Sequence, residues 1–354
     1  MDADYVVVGG GPAGLGVAIE AATRGRRVVV LERASFPVEK ACGEGLMPPG
    51  VARMRAMGVS PASDGSHPFV GIRYIDGETV AEGRFRDGEG LGVRRLALSL
   101  AMIGRARQVG VTFAGGAGAW SQDGDGVTVT TPEGPIRGRW LVAADGAASR
   151  IRREAGISSK PRGRRFGMRR HFAVAPWSPF VEVWWADGVE AYVTPCGPRR
   201  VGVAFLWSGE KGDYEAFLAR FPALRERLAD PETLVRGAGP LGVEVSHRVA
   251  GRVLLAGDAA GYVDALTGEG ISLAWECGAA LVAATEAGNP ARYEADWRRL
   301  TRRHRWLTAG LLEVAARPWL RRGVVRALAL SPSGFSTMLG VNTGAIGGIR
   351  SLPE

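Results

Sequence analysis

The stretch Tyr5–Arg33, YVVVGGGPAGLGVAIEAATRGRRVVVLER, has the order strand, glycine-rich turn, helix, strand. Tyr5–Val8 is a short apolar run, which is typical of a buried parallel strand. Ala13–Arg24 carries apolar residues at helical spacing, and Arg27–Leu31 is a second, β-branched run. This order predicts the first half of a doubly wound α/β domain.

The turn has the pattern G-x-G-x-x-G, formed by Gly9, Gly11 and Gly14. Gly9 allows a tight exit from the strand, Gly11 lets a pyrophosphate approach the backbone, and Gly14 lets helix and strand pack closely. The helix N-terminus offers unpaired N–H groups and a positive dipole end to phosphates. Glu32 ends the second strand, where its carboxylate can bind a ribose and would repel a 2′-phosphate. We therefore predict a dinucleotide site that disfavours NADP; the alternative is a glycine-rich turn without a ligand.

Composition excludes several classes of protein. The chain has 354 residues, 46% of them hydrophobic, with a net charge of +9, which is a globular composition with a basic surface. No apolar run approaches the ~18–20 residues of a membrane span, and the strand begins so close to Met1 that we expect no signal peptide. Cys42, Cys196 and Cys277 are too widely spaced for a metal cluster or a disulfide framework, so we expect no metal and a cytoplasmic location. There is no nucleic-acid-binding motif, and the positive charge favours anionic cofactors or an anionic membrane.

Two later segments place an aspartate directly after a buried strand. LVAADGAASRIRREAG, Leu141–Gly156, runs into Asp145-Gly146. RVLLAGDAAGYVDALTGEGISLAWECGAALVAA, Arg252–Ala284, runs into Gly257-Asp258 and then into a glycine-rich helix start. An aspartate in such a turn can accept hydrogen bonds from cofactor hydroxyls, and a helix N-terminus favours negative charge.

The order and spacing of these three motifs resemble the FAD-dependent superfamily of aromatic hydroxylases, flavin-dependent halogenases and geranylgeranyl reductases. The resemblance implies bound FAD, with Asp258 on a ribityl hydroxyl and Asp145 and Gly146 near the flavin and nicotinamide region. It also implies that Arg95 contacts FAD, although Ser99 stands where the family often has an acid. The predicted cofactor-binding residues are Gly9, Gly11, Pro12, Ala13, Gly14, Glu32, Arg33, Cys42, Gly43, Arg95, Asp145, Gly146, Gly257, Asp258, Gly268, Glu269, Gly270 and Ile271.

The loop Ala34–Pro49 contains KACGEGLMPPG, which looks most like the geranylgeranyl reductase branch. Its length and glycine content are typical of a functional loop. Cys42, Glu44 and Lys40 are the candidate catalytic residues: Glu44 as a proton donor or gate, and Lys40 as a contact for flavin or nicotinamide phosphates. The alternatives are a small buried residue for Cys42 and solvated charges for Glu44 and Lys40.

The predicted fold class is α/β, with a Rossmann-like FAD-binding domain of three-layer ββα type, an inserted antiparallel-sheet substrate domain and a helical C-terminus. The FAD-binding domain is discontinuous, because a buried strand reappears at Arg252–Leu255 after the strand-rich middle of the chain. The predicted parts are residues 1–68, 90–156 and 246–290 for FAD, 69–89 and 157–245 for substrate, and 291–354 for the helical segment.

These residues predict an FAD-dependent oxidoreductase that acts on a small hydrophobic substrate. The first hypothesis is an NAD(P)H-dependent monooxygenase of an aromatic or lipid-like molecule. The alternative is a reductase that saturates C=C bonds of an isoprenoid or polyene; the third is a non-catalytic flavin-binding partner protein. NAD(P)H would bind transiently, since no second dinucleotide fingerprint is present. The basic C-terminal helix is predicted to pack on the core or to contact the inner face of the membrane, and the oligomeric state is left open.

Overall fold

The computed structural model describes residues 1–209 and 212–342, so the end of the predicted C-terminal segment, residues 343–354, lies outside the described residues. Strand β1 is central in an eight-stranded sheet, as its apolar sequence predicts. The strands of this sheet are β1 (Ala3–Val8), β2 (Val28–Leu31), β8 (Thr112–Ala114), β9 (Trp120–Gln122), β10 (Val127–Thr131), β11 (Gly134–Ala143), β17 (Val249–Ala250) and β18 (Val253–Leu255).

The strands run parallel in the order β18-β11-β1-β2-β8, and β17 pairs antiparallel with β18 at the edge. The first half of β11 also carries an antiparallel ribbon of β10 and β9. Parallel strands end at the same edge of their sheet, so this topology brings the turns after β1, β11 and β18 together. Strands from the beginning, the middle and a later part of the chain therefore lie in one sheet.

Ten helices complete the described part of the chain. Three of them, α1, α3 and α7, pack side by side, with α8 next to α7. The helices are α1 (Pro12–Thr23), α2 (Pro48–Ala56), α3 (Arg95–Gln108), α4 (Arg150–Glu154), α5 (Tyr214–Leu218), α6 (Pro222–Arg225), α7 (Gly270–Glu286), α8 (Arg292–Ala316), α9 (Pro318–Leu330) and α10 (Pro332–Asn342). No helix within the described residues is long and apolar enough to cross a bilayer.

A second sheet has seven strands and is not paired with the first. Its strand order is β16-β12-β15-β14-β13-β5-β6. It is antiparallel except where β13 meets β5. Its strands are β5 (Gly71–Asp76), β6 (Thr79–Arg84), β12 (Ser159–Phe172), β13 (Phe180–Ala186), β14 (Val189–Gly197), β15 (Arg200–Ser208) and β16 (Arg236–Val245). A small third sheet consists of β3 (Gly45–Leu46), β4 (Ser66–Phe69) and β7 (Gly90–Val93).

The sequence pattern was misleading at two places in this region. It predicts one helix over Tyr214–Leu228, but the structure has two short helices, because Phe221 leaves helical geometry and Pro222 starts a new helix without an N–H donor. It also misses β16, whose sequence RGAGPLGVEV has too many glycines and a proline for a typical strand. Pairing along β12 overrides that low propensity.

Candidate active site

The turn after β1 has the geometry that its glycines predict. Gly9 adopts φ = +114°, a left-handed conformation that side chains disfavour. A Cβ on Gly14 would lie 1.9 Å from the carbonyl oxygen of Gly9, so only glycine permits this approach of α1 to the strand. Helix α1 then begins at Pro12, with Ala13 in its first turn, and its N-terminus points at the edge where the parallel strands end.

Glu32 lies at the end of β2, beside this turn. Its carboxylate accepts hydrogen bonds from the N–H groups of Gly10 (2.7 Å) and Ala34 (3.0 Å). The side chain is therefore fixed across the glycine turn, at the position where a ribose would bind. Arg33 follows it in an exposed stretch.

Asp145 and Gly146 follow β11 at the same edge. One carboxylate oxygen of Asp145 accepts the N–H groups of Arg150 (2.8 Å) and Ile151 (3.2 Å) and so holds the start of α4. Its other oxygen, Oδ1, is buried and has no partner within the described residues. Gly146 has φ = +88°, which lets the chain turn away at once. Asp145 thus has one acceptor atom left for a ligand.

Asp258 follows β18 in a single 3-10 turn, Gly257–Ala260. Its side chain faces the cavity, and a Cβ on Gly257 would lie only 2.5 Å from Cβ of Ala13, so the turn packs directly on α1. Enclosure by protein raises the pKa of Asp258, while the charges of Lys40 and Arg95 oppose this rise. The structure therefore brings Asp258 to the same place as the α1 turn.

The segment from Gly268 to Ile271 forms the start of α7. Gly268 has φ = +68°, and α7 begins at Gly270 beside the cavity. Glu269 turns away from this opening, because its Oε2 lies 3.1 Å from Nδ1 of His304 on α8. The backbone at the helix start, rather than the Glu269 carboxylate, therefore faces the cavity.

Arg95 begins α3 and reaches toward the glycine turn. A Cβ on Gly11 would lie 3.7 Å from its Nη2 atom. Arg95 is 9% exposed, and its Nε is buried without a partner within the described residues. A buried guanidinium with an unused donor next to a helix N-terminus is suited to bind a pyrophosphate.

The loop that contains Lys40, Cys42 and Gly43 forms one wall of the cavity. The Sγ atom of Cys42 accepts the N–H of Glu44 at 3.3 Å, and the carbonyl of Gly43 accepts the hydroxyl of Thr194 on β14 at 2.8 Å. Burial raises the pKa of the Cys42 thiol, although the positive charge of Arg95 opposes this. Cys42 is therefore a neutral thiol at pH 7, facing the cavity.

Glu44 is more deeply enclosed than the sequence suggests. Its Oε1 accepts the backbone N–H of Arg95 at 2.8 Å, and its Oε2 lies 2.7 Å from Nε2 of His171 on β12. Arg169, also on β12, places a guanidinium nitrogen 3.4 Å from Oε1. Burial alone would raise the pKa of Glu44. The hydrogen bonds and the positive charge of these partners outweigh this effect and hold the pKa below its ordinary value. An acid that is already ionised does not fit the predicted role of proton donor.

The roles of the two ring nitrogens of His171 follow from its neighbours. Nη1 of Arg169 lies 3.0 Å from Nδ1 of His171, and a guanidinium has only donors, so Nδ1 must accept. Nε2 then carries the hydrogen and donates a hydrogen bond to the carboxylate of Glu44. Cys196 completes a buried group in which the ligand atoms of Glu44, His171 and Cys196 lie within 4.8 Å of one another. The adjacent charge of Arg169 opposes a cation there.

The loop and the second sheet enclose a cavity of about 340 Å³ above the turns. The turns after β1 and β18 form one end, and apolar and aromatic side chains form the other, most of them from the second sheet and the C-terminal helices. These side chains are Ile72, Tyr74, Phe85, Val181, Val183, Trp185, Tyr192, Leu266, Leu311 and Leu339. Sequence reasoning missed them, as it missed Arg169; the only signal was that Arg169 and His171 alternate along one strand and so share a face.

The comparisons with known proteins agree with this geometry. Residues 2–284 match the family described as FAD binding domain, which is most of the chain. The chain belongs to this FAD-binding family. Menaquinone reductase of Mycobacterium tuberculosis is 30% identical over 78% of this chain and 74% of that protein. Digeranylgeranylglycerophospholipid reductase 2 of Methanosphaera stadtmanae is 28% identical over 80% of this chain and 78% of that protein.

Solved structures show the same fold. The p-nitrophenol 4-monooxygenase of Pseudomonas putida superposes with a TM-score of 0.81 at 20% identity, over 98% of this chain and 99% of that one. The predicted resemblance to the monooxygenase and geranylgeranyl reductase-like superfamily is confirmed, as is the α/β fold class. The protein is an FAD-dependent oxidoreductase.

The residues of this family member fit FAD. An added Cβ on Gly11 would meet only Nη2 of Arg95, at 3.7 Å, so this glycine leaves open space beside the α1 N-terminus. Arg95 and Asp145 hold buried polar atoms without partners within the described residues. Glu32 would hold the ribose, Arg95 and the α1 N-terminus the pyrophosphate, and Asp258 a ribityl hydroxyl, which leaves the flavin ring for the cavity side of the site. Bound flavin supplies hydride or oxygen chemistry that no side chain here can perform.

Proposed function

We propose that this flavoenzyme reduces carbon–carbon double bonds of a hydrophobic, isoprenoid-like substrate, with NAD(P)H as the source of electrons. The sequence ranks hydroxylation first and this reduction second; two considerations reverse that order. The two relatives described above are named as reductases of lipid-soluble molecules. The Cys42 thiol, which lines the cavity, is also a neutral acid, and saturation of a double bond needs a proton donor.

The proposal rests on Cys42 as the proton donor. Saturation of C=C adds a hydride to one carbon and a proton to the other, so the protein must hold an acid at the cavity. Reduced FAD would supply the hydride. The Cys42 thiol faces the cavity and keeps its proton, because burial raises its pKa. After donation, the nearby charge of Arg95 would stabilise the thiolate until it takes a proton from solvent.

Glu44 takes a positioning role in this scheme. Its carboxylate holds the backbone of Arg95, and its own N–H bonds to the Cys42 sulfur. It is also the only residue other than glycine with positive φ (61°) among the described residues, so the loop is held in a conformation of low intrinsic preference. The network with Arg169 and His171 fixes that conformation and so fixes the direction of the Cys42 thiol.

The cavity walls suit a long apolar substrate. Their side chains are mostly aliphatic or aromatic, and Leu311 and Leu339 extend them onto the C-terminal helices. We expect a polar group of the protein to hold one end of the substrate, while the rest of the substrate contacts apolar side chains. The reductant would bind transiently, since a second dinucleotide fingerprint is lacking in the sequence, and the basic surface would attract its phosphates.

Hydroxylation remains the second candidate because of one feature of the cavity. The indole Nε1–H of Trp185 is buried and has no partner within the described residues, and Tyr74 lies beside it in edge contact at 5.7 Å between ring centroids. Burial raises the pKa of Tyr74 to about 12, so its hydroxyl is a neutral donor. These two donors would hold an oxygen atom on an aromatic ring.

The two activities differ in their need for oxygen. Enzyme reduced with dithionite under nitrogen is given a geranylgeranyl lipid, and the product is analysed by mass spectrometry. Reduction predicts products heavier by two hydrogens for each saturated bond, without oxygen. Strict dependence on O2 with one added oxygen atom would replace the reductase proposal by the hydroxylase.

Cys42→Ser tests the role of the thiol. We expect product formation to fall by about 10²–10⁴-fold, the usual contribution of a positioned acid, while the flavin content stays unchanged. Cys277→Ala is the matched control, since Cys277 is buried on α7 and does not line this cavity. An unchanged rate in Cys42→Ser would contradict the assignment of Cys42 without bearing on the reaction type.

A further inference from the structure

The outward faces of α8 and α9 carry three large apolar side chains that are mostly exposed. Trp306 is 76% exposed, Trp319 is 73% exposed and Leu330 is 89% exposed. Such residues normally turn inward, and an exposed apolar patch with a polar rim is typical of an interaction surface. These three residues therefore need an explanation that the catalytic cavity does not provide.

The helical spacing of α9 places its exposed residues on one face. Trp319, Arg322, Arg326 and Leu330 recur at intervals of three or four residues and are all exposed. The opposite face is used by the fold: Arg321 is 2% exposed, and its Nε donates to a carboxylate oxygen of Asp76 on β5 at 2.8 Å. The outward face of α9 is thus distinct from the face that packs on the protein, and it combines arginines with large apolar side chains.

Helix α8 continues the same composition. Trp306 follows Arg302 by four residues and Arg299 by seven, and all three are exposed. The buried side of α8 carries Trp297 and Thr308 against the protein. Arginine beside outward tryptophan thus occurs on two consecutive helices.

We propose that these outward faces form a docking surface for an anionic lipid bilayer. Indole rings prefer the interface between headgroups and acyl chains, and arginines next to them attract anionic headgroups. The net charge of +9 acts in the same direction. The members of this tryptophan–arginine face are Arg299, Arg302, Trp306, Trp319, Arg322, Arg326 and Leu330.

The position of the face relative to the cavity favours a bilayer over a protein partner. Leu311, on the same helix as Trp306, and Leu339 on α10 both line the cavity. The helix that would contact the bilayer through Trp306 therefore also lines the cavity through Leu311. This consequence rests on the proposed lipid-like substrate, whereas bilayer binding itself does not.

The test is co-sedimentation of the FAD-loaded enzyme with vesicles that contain no substrate. Vesicles of phosphatidylcholine alone are compared with vesicles of phosphatidylcholine and phosphatidylglycerol. We expect binding to the mixed vesicles, weakened by salt. Trp306→Ser and Trp319→Ser should each lower the partition constant about tenfold, and Arg322→Gln or Arg326→Gln about fivefold.

Leu234→Ser is the matched control, because Leu234 is 75% exposed but lies just before β16, outside this face. It should bind like the native protein, and flavin content with thermal unfolding checks that every variant is folded. The proposal is overturned if the native protein stays in the supernatant or if both tryptophan variants bind normally. It is also overturned if the tryptophan variants lose self-association in gel filtration and not vesicle binding, since a second copy would then be the occupant. Vesicle binding is measured without substrate turnover. Failure of the membrane proposal therefore does not bear on the reductase proposal, which is tested by product analysis.

Discussion

Replacement of Glu44 by Gln is the most direct test of the buried network that joins the loop to the second sheet. The carboxylate has three charged or polar partners: Arg95 N–H at 2.8 Å, His171 Nε2 at 2.7 Å and Arg169 at 3.4 Å. A glutamine keeps one carbonyl acceptor and turns the other atom into a donor. That donor meets either the N–H of Arg95 or the protonated nitrogen of His171.

The cost follows from the charge that is left behind. Arg169 is 2% exposed, and without Glu44 its remaining acidic partner is Glu39 at 3.4 Å. Removal of one member of a buried ion pair typically costs about 3–5 kcal/mol. With an unfolding entropy of about 2.1 cal/mol/K per residue, this corresponds to a fall in melting temperature of roughly 4–7 °C for a chain of 354 residues.

The assay is thermal and urea unfolding of the FAD-loaded protein at pH 7, with Glu215→Gln as the control. Glu215 pairs with Arg170, the neighbour of Arg169, at 2.6 Å, but its side chain is 59% exposed. Such surface pairs are worth about 0–1 kcal/mol. If Glu44→Gln and Glu215→Gln lower stability equally, the network is not what stabilises the loop and the reasoning fails.

The same variant predicts a pH dependence. The pKa of Glu44 is lower in the folded protein than its ordinary value of about 4.3. Its stabilising contribution is therefore complete above the ordinary value and is lost as the pH falls through the lowered pKa. The difference in unfolding free energy between native protein and Glu44→Gln should shrink in that acid range; a difference independent of pH would contradict the lowered pKa.

Two further substitutions test the FAD-binding half. Gly14→Ala should abolish FAD binding, seen as loss of flavin absorbance in the purified protein, because its Cβ would lie 1.9 Å from the Gly9 carbonyl; Gly104→Ala, whose Cβ meets nothing within 4 Å, should retain FAD. Tyr5→Phe should lower the free energy of unfolding by about 1 kcal/mol, because it removes the buried 2.6 Å hydrogen bond to Thr285; an unchanged urea midpoint would count against this.

The motifs that predict the FAD site are readable from the sequence because each of them is local. Gly9, Gly14 and Glu32 act within one strand–helix–strand unit, and their spacing is dictated by that unit. Asp145 and Asp258 were readable for a related reason. Each follows a buried strand, and parallel strands in one sheet end at the same edge, so distant aspartates converge without any further information.

The substrate half was less readable because sheet pairing overrides local preference there. The glycine- and proline-rich stretch Arg236–Val245 became a strand because it extends β12, and the predicted helix Tyr214–Leu228 broke at Pro222. The side chains that line the cavity come from the loop after β2, from strands of the second sheet and from helices near the end of the chain, which are far apart in sequence. Alternation along a strand shows that a face is buried, but not which element covers it.

The sequence by itself determined the cofactor, the parallel core and the identity of the loop that contains Cys42. The tertiary structure alone decided the charge states of that loop, since Glu44 meets His171 across 127 positions of the chain. Ionisation depends on burial and on partners within a few ångströms, and neither is encoded at fixed spacing. The glycine turn at Gly9–Gly14 therefore predicts the flavin site from sequence, whereas the ionised state of Glu44 follows only from the packing of the loop against the second sheet.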